Sequence, residues 1–555
     1  MPRINKFSVL GGALVLAALV VPSAAWIGLL RGAPPDSLRE PLDLGALYFR
    51  AGLAALGGFS ACLPRLVALC RPSPRALREP SRAPLAVITI ILAAASGLRL
   101  YRLESGLWLD EILTYVHYAR LPFGEIVSTY ASENQHFLYS LMAHACFQLF
   151  GEGAWSLRLP AVLFGVASIG AIYLLGREVT GVREAVFAAA LLAFSYHHVW
   201  FSQNARGYTG LLFFTIFSSW LLVRALNEDR PALWLAYAAA AALGVYSHTT
   251  MMFVIAGHGV SYVLEQRRRH RRGESARWAG LCLGFVAAGL FTWQLYAIVA
   301  PQVLDAMART VSVVDAWKKP MWTLLEFLRG MHVNFAGALV AGCALVVFAA
   351  GLWRYARSRP VLIEMLFLPP LLGASLVLAV GHHLWPRFFF FTFGFGALVA
   401  VRGIFAMEDI ARGLRLPRAC WLGSLACGVL VLMSAASVPR AFGPKQDYKA
   451  ALDYARAQRG PGDIVVSTGL ASFPYTTLYR SDIESVEDER ALEAVRARAR
   501  RTILLYTLEP VLESMQPGIM SVIRRDFRVM KQFAGTLQGG AVFVCIAGES
   551  TARQS

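Results

Sequence analysis

Charged residues are scarce in this chain. They make up 16% of its 555 residues, whereas 56% are hydrophobic. That balance excludes a soluble protein of this size. Sustained alternation of apolar and polar residues is also missing, which excludes a transmembrane barrel. Cysteine is sparse. Cys62, Cys70, Cys146, Cys282, Cys343, Cys420, Cys427 and Cys545 lie mostly inside apolar runs without metal-type spacing. They read as small core hydrophobes, and no disulfide framework is visible. There is no internal repeat and no low-complexity tract. What remains is a polytopic α-helical membrane protein, since many apolar runs are long enough to cross a bilayer. The net charge of +18 does not point to nucleic acid. Lys and Arg gather in short loops between apolar runs, as the positive-inside rule expects.

Apolar runs near 7–30, 46–70 and 83–99 predict the first three spans. The start admits two readings: a retained span, which is favoured, and a leader cleaved near Pro22-Ser23-Ala24-Ala25. The linker 71–82 is basic and reads as cytoplasmic, which puts the following loop, 104–156, outside. Within that loop Phe137–Phe150 is apolar but short for a span and reads as an interfacial or re-entrant helix. Spans near 157–176, 184–201, 208–226, 232–247 and 249–265 lead to Arg267–Arg272, the densest basic cluster. The cluster falls in the cytoplasm only if Phe137–Phe150 does not cross, so that option is taken. Spans near 278–299, 334–353, 361–380, 386–403 and 419–437 bring the total to about thirteen, with loop 300–333 outside.

From about Gly443 the composition turns polar. Helix-like runs (Lys449–Ala457, Asp488–Arg500) and strand-like runs (Asp463–Ser467, Thr502–Tyr506, Ala541–Cys545) predict a small α/β extramembrane domain on the outer side. The expected organisation is therefore two extra N-terminal helices in 1–82, a transmembrane region 83–442, and the α/β domain 443–555.

With this topology, acids, amides, histidines and arginines collect at one face. Loop 104–156 brings Asp110, Glu111, Glu133, Asn134, Gln135 and His136. The end of the 184–201 span brings Gln203, Asn204, Arg206 and Tyr208, and the junction after 232–247 brings His248. Loop 300–333 brings Lys318 and Lys319, and the junction 381–387 brings His382, His383 and Arg387. An outward-facing polar cavity roofed by loops follows.

Four segments in order carry a resemblance: Ser105–Glu111, Glu133–Tyr139, Trp155–Pro160 and Trp200–Tyr208. Together they resemble the GT-C membrane glycosyltransferases of the protein O-mannosyltransferase and lipid A aminoarabinose transferase type, nearest to bacterial relatives of undefined acceptor. The sequence departs from that group where His136 is followed by Phe137-Leu138 rather than proline, and where Pro386-Arg387-Phe388 stands for Arg-Tyr. The resemblance implies sugar transfer, with inversion, from a polyprenyl-phosphate donor to a lipid, glycan or protein acceptor. It places the active site on the periplasmic face of a bacterial inner membrane and needs no cofactor. A divalent metal is the alternative not favoured, because the histidines are dispersed.

Such chemistry needs a carboxylate for the acceptor's proton and cations for the departing phosphate. Asp110 is the candidate base, against a plain helix cap. Glu111 is a second catalytic candidate, as an acid behind Asp110 or a metal ligand, against an ordinary first-turn charge. Arg206 and Arg387 are candidate phosphate clamps, against interfacial snorkelling. Glu133, Asn134, His136, Gln203, Asn204, Tyr208, His248 and Lys318 complete the expected substrate lining. The rival functions are a transporter or flippase for a lipid-linked substrate, which would place charges near the midplane and repeat its halves, and a scaffold built on the 443–555 domain.

Overall fold

The computed structural model describes residues 5–73, 82–309, 314–331, 338–382, 384–537 and 539–548. Most of the linker 71–82, the first residues of the span expected at 334–353, His383 and the Lys318 side chain lie outside the described residues. The apolar runs form helices because in lipid a backbone must satisfy its own N–H and C=O groups. Among the described residues seven helices are long and apolar enough to cross a bilayer, and three bent pairs raise the number to ten. The expected total of about thirteen also counts Pro84–Leu100 and Pro231–Ser247, which are shorter, and Met251–Arg271, whose last turn is basic.

The bends depart from the straight runs that hydropathy predicts. Lys6–Val20 and Ser23–Leu30 meet at 100° around Pro22, where proline cannot continue the hydrogen-bond ladder. Lys6–Val20 packs closely on Asp36–Ala68 at Gly11 and Gly57. A Cβ on Gly11 would stand 2.5 Å from the Gly57 carbonyl oxygen. Val182–Ala193 and Tyr196–Ser202 meet at 61°. The carbonyls of Leu192 and Ala193 freed there accept from the fully buried Arg99. Arg99 also donates to Ser202 Oγ at 3.1 Å and lies against His198. Polar atoms thus surround a cation that lipid alone would not tolerate. Ala154–Val179 and Tyr208–Glu228 form the buried centre of the bundle, while Asp36–Ala68, Val340–Ser358 and Ala419–Phe442 lie at its periphery.

Phe137–Phe150 is a helix of 14 residues, roughly 21 Å long. At the far end of the bundle the basic cluster is partly neutralised. Arg268 pairs with Glu265 and Glu364, and Arg272 pairs with Glu265 and Glu274.

The polar C-terminal segment folds around a five-stranded sheet: β1 (Ile464–Thr468), β2 (Glu484–Val486), β3 (Thr502–Thr507), β4 (Arg528–Phe533) and β5 (Val542–Ala547), in the order β2-β1-β3-β5-β4. β1 pairs in parallel with β2 and β3, and β5 pairs antiparallel with β3 and β4. The three apolar strands expected from sequence are the inner ones. The two unexpected strands are the edges, and β4 is polar and bulged between Val529 and Lys531. Such features protect a sheet edge from further pairing. One continuous core joins this domain to the 104–156 loop and the helix that follows it: Leu107, Leu109, Ile112, Phe147 and Leu157 pack with Tyr448, Leu452, Tyr475, Leu505 and Val544.

Candidate active site

Asp110 lies in the first turn of the short helix Leu109–Thr114. Its carboxylate is held between two arginines: Arg206 Nη1 and Arg387 Nη1 each lie 3.4 Å from Oδ2. These cations come from different parts of the chain. Arg206 precedes the helix Tyr208–Glu228, and Arg387 opens the 3-10 turn Pro386–Thr392. Arg206 is 5% exposed, and its Nε, like Nε of Arg387, is buried without a hydrogen-bond partner. Buried donors are ordinarily satisfied. Two guanidinium donors left over beside one carboxylate can therefore take a further anion.

Glu111 occupies a different environment one residue away. It is fully buried. Arg158 grips both of its oxygens, Nε to Oε1 at 2.8 Å and Nη2 to Oε2 at 2.6 Å. The Ala205 N–H donates to Oε1 at 2.8 Å and the Trp108 N–H to Oε2 at 3.3 Å. Burial pushes the carboxyl up, but Arg158, Lys445 and the Ala205 N–H hold it below the ordinary glutamate range. Arg158 spends its remaining donors on the carbonyls of Leu103, Ser105 and Gly106 and on Ser105 Oγ. The pair thus ties the 103–108 loop to the start of the helix Ala154–Val179 and to the turn that bears Arg206.

The other expected residues divide. Asn134 Nδ2 donates to the Asp110 carbonyl at 3.2 Å and to Thr114 Oγ1 at 3.0 Å, which braces the helix from behind. His136 and His248 stack at 4.7 Å, with Tyr208 5.0 Å from His248 and the Arg206 guanidinium over the Tyr208 ring. Gly207 permits this approach, because a Cβ there would stand 2.1 Å from the Ser247 carbonyl oxygen and 3.0 Å from the His136 ring. Burial, reinforced by Arg206 and Arg387, pushes His136 well below its usual range and His248 down to about 3. Both rings are neutral at ordinary pH. Gln203 and Asn204 are occupied elsewhere: Gln203 Nε2 donates to the Arg99 and Tyr101 carbonyls, and Asn204 Oδ1 accepts from Trp108 Nε1. Glu133 lies at the rim, 44% exposed, with His382 Nε2 3.2 Å from its Oε1. Among the described residues no group of three His, Cys, Asp or Glu is placed to hold a metal ion.

Three residues in this network were not among the expected ones. Arg158 sits in the Trp155–Pro160 segment, yet a lone arginine at a span's start gave no sign of its partner. Lys445 and Gln446 come from the far end of the chain, 5% and 1% exposed. Burial lowers the Lys445 amine to about 7, although Glu111 works against that shift.

Residues 134–296 match the sequence family described as dolichyl-phosphate-mannose-protein mannosyltransferase. That segment contains Asn134, His136, Arg158, Arg206, Tyr208 and His248, and it excludes Asp110, Arg387 and Lys445. No curated protein sequence matches the chain. Among solved structures, ArnT from Cupriavidus metallidurans bound to undecaprenyl phosphate is 14% identical, with 83% of this chain and 97% of that one covered and a TM-score of 0.42. Archaeal oligosaccharyltransferase AglB from Archaeoglobus fulgidus, in complex with an inhibitory peptide and a dolichol-phosphate, is 11% identical over 85% of this chain and 75% of that one, at a TM-score of 0.43. Arabinosyltransferase EmbB from Mycobacterium smegmatis is 15% identical over 71% of this chain and 43% of that one, at 0.42. The sequence match is confined to residues 134–296, and it makes that segment similar to the dolichyl-phosphate-mannose-protein mannosyltransferases.

Proposed function

We propose that the chain transfers a sugar from a polyprenyl-phosphate donor to an acceptor hydroxyl at the outer face of a bacterial inner membrane, inverting the anomeric centre. The observation that carries this reading is Asp110 held between Arg206 and Arg387, with the Nε of each arginine buried and unpaired beside it. The acceptor oxygen forms a bond to the anomeric carbon as the bond from that carbon to the phosphate oxygen breaks. The phosphate leaves with the electron pair and meets the arginines, and the acceptor's proton passes to Asp110. An arriving phosphate also draws the arginines away from the carboxylate, which frees Asp110 to accept. A single displacement inverts the centre.

Orientation has its own support. Met251–Arg271 starts three residues after His248 and ends in the basic cluster. Its 21 residues span roughly 32 Å, about one hydrocarbon thickness, so the site and the basic loop stand at opposite ends of the bundle. The basic end is read as cytoplasmic. Glu111 is assigned to holding the site together rather than to proton transfer, because both of its oxygens are occupied. The division into 1–82, 83–442 and 443–555 belongs to this reading, as do Glu133 and Tyr208 as substrate-lining groups.

The test compares lipids, glycans and secreted proteins, by mass spectrometry, from cells with the chain, without it, and with Asp110→Asn. Loss of one glycosylated product in both of the latter supports the reading. Full product with Asp110→Asn overturns the role of Asp110. Movement of a lipid-linked sugar across liposomes by purified protein, with no new glycosidic bond, replaces transfer by transport.

A further inference from the structure

Pro444, Lys445 and Gln446 join the last membrane helix to the extramembrane domain, yet their side chains and carbonyls serve both sides. Gln446 Oε1 accepts the backbone N–H of Leu109 at 3.1 Å, and its Nε2 donates to Thr507 Oγ1, on β3, at 3.1 Å. Thr507 in turn donates to the Ala541 carbonyl at 2.9 Å. Leu109 is the first residue of the helix that carries Asp110. The first N–H groups of any helix have no partner within it. Here one of them is met by a residue 337 positions away.

Lys445 makes the companion contact. Its Nζ donates to the Gln203 carbonyl at 2.6 Å and lies 5.2 Å from the centre of the Trp200 ring. The charged groups facing it are Glu111 and Arg158. The carbonyls of Pro444 and Lys445 accept from Thr536 and Leu537, and Trp200 Nε1 donates to Thr536 Oγ1 at 2.8 Å. The strap is thus fixed at once to the sheet domain, to the turn before Arg206, and to the helix of Asp110.

We infer that Lys445 and Gln446 are positioning residues, through which the extramembrane domain sets the place of Asp110 between Arg206 and Arg387 and so couples the transfer rate to its own docking. This rests on the glycosyl-transfer reading for its effect on rate. The docking half stands on geometry alone.

The experiment uses the full chain in lipid nanodiscs and compares wild type, Gln446→Leu, Gln446→Glu and Thr507→Val. Leucine keeps the bulk of Gln446 and removes both hydrogen bonds. Glutamate keeps the acceptor for Leu109 and loses the donor. Valine removes the domain's partner, together with the Thr507 bond to the Ala541 carbonyl, and leaves Gln446 to meet Leu109, which keeps the test alive if leucine does not fold. Two readouts are taken: hydrogen exchange of the peptide 107–116, and transfer kinetics with polyprenyl-phosphate sugars extracted from host membranes. In Gln446→Leu, exchange rises and kcat falls, each by about tenfold, with KM for the donor within about twofold of wild type. Glutamate restores most of both, and valine gives a smaller loss of the same kind.

Unchanged exchange in Gln446→Leu and Thr507→Val overturns the docking half. Raised exchange with unchanged kcat overturns the coupling. Absence of transfer in the wild type refutes the functional reading, and the exchange result still decides the docking.

Discussion

Glu111→Gln and Asp110→Asn are neighbouring substitutions that remove the same charge, and the structure assigns them opposite consequences. Glu111 is fully buried and takes four hydrogen bonds, two from an arginine that is itself 1% exposed. Glutamine at this position turns an NH2 toward a donor of Arg158 or Ala205, so one contact becomes donor against donor. Arg158 keeps its charge without a counter-charge. Removing one partner of a buried ion pair costs about 3–5 kcal/mol. At about 1 °C per kcal/mol for a chain of 555 residues, the thermal midpoint falls by roughly 3–5 °C. Asp110 is 17% exposed in its side chain and its arginine contacts are long, 3.4 Å each, so Asp110→Asn costs roughly 1 kcal/mol or less. The assay is thermal unfolding of the purified protein in detergent, with transfer measured on the same preparations. Glu111→Gln loses stability and activity together. Asp110→Asn loses only activity, by more than about a hundredfold for a general base. Glu111→Gln with a wild-type midpoint and normal transfer refutes the assignment of Glu111 as the anchor.

Arg206→Ala and Arg387→Ala each weaken binding of a polyprenyl phosphate about tenfold or more, read by equilibrium binding, while Arg206→Lys recovers part of it because lysine keeps charge without the fork. Lys445 gives a pH dependence with a defined sign. Its native pKa, about 7, lies below the ordinary lysine value, so between about 7 and 10 the unfolded chain holds a proton that the native chain has released. Stability therefore rises with pH across that window, by up to about 1.4 kcal/mol per unit. Lys445→Met removes this component, read as the difference in thermal midpoint between pH 7 and pH 9 for the two proteins. Equal slopes contradict the burial of an uncharged amine. Gly57→Leu places a side chain where a Cβ alone would stand 2.6 Å from the Gly11 carbonyl oxygen, and overpacking costs about 1–3 kcal/mol. Reduced protection of Lys6–Val20 against protease in membranes checks it.

The division of labour between sequence and tertiary structure follows the range of the forces involved. Hydropathy is local, so the apolar runs, the loop 104–156, the polar turn at Gly443 and the three inner strands were legible from residue order alone. β2 and β4 were not, because a short or polar edge strand carries no apolar signature of its own. The break between Ala193 and Tyr196 was also invisible, because the group that satisfies its freed carbonyls is Arg99, on another helix. Asp110, Arg206 and Arg387 could be named from residue type and topology, since charge at the end of a span needs a reason. Their mutual contact could not be read that way, because it depends on how three separate segments pack.

Glu111 shows the limit most clearly. In the sequence it is indistinguishable from any first-turn acid. Its burial, its grip on Arg158 and its distance from the open side of the site arise only when residues 158, 205 and 445 converge on it. The sequence by itself determined that this chain lives in a membrane and where its acids and arginines collect. Only the tertiary structure decided which of two adjacent carboxylates faces the arginine pair and which is sealed beneath it, because one residue along a helix turns a side chain by about 100°, and what it meets there is set by distant parts of the chain.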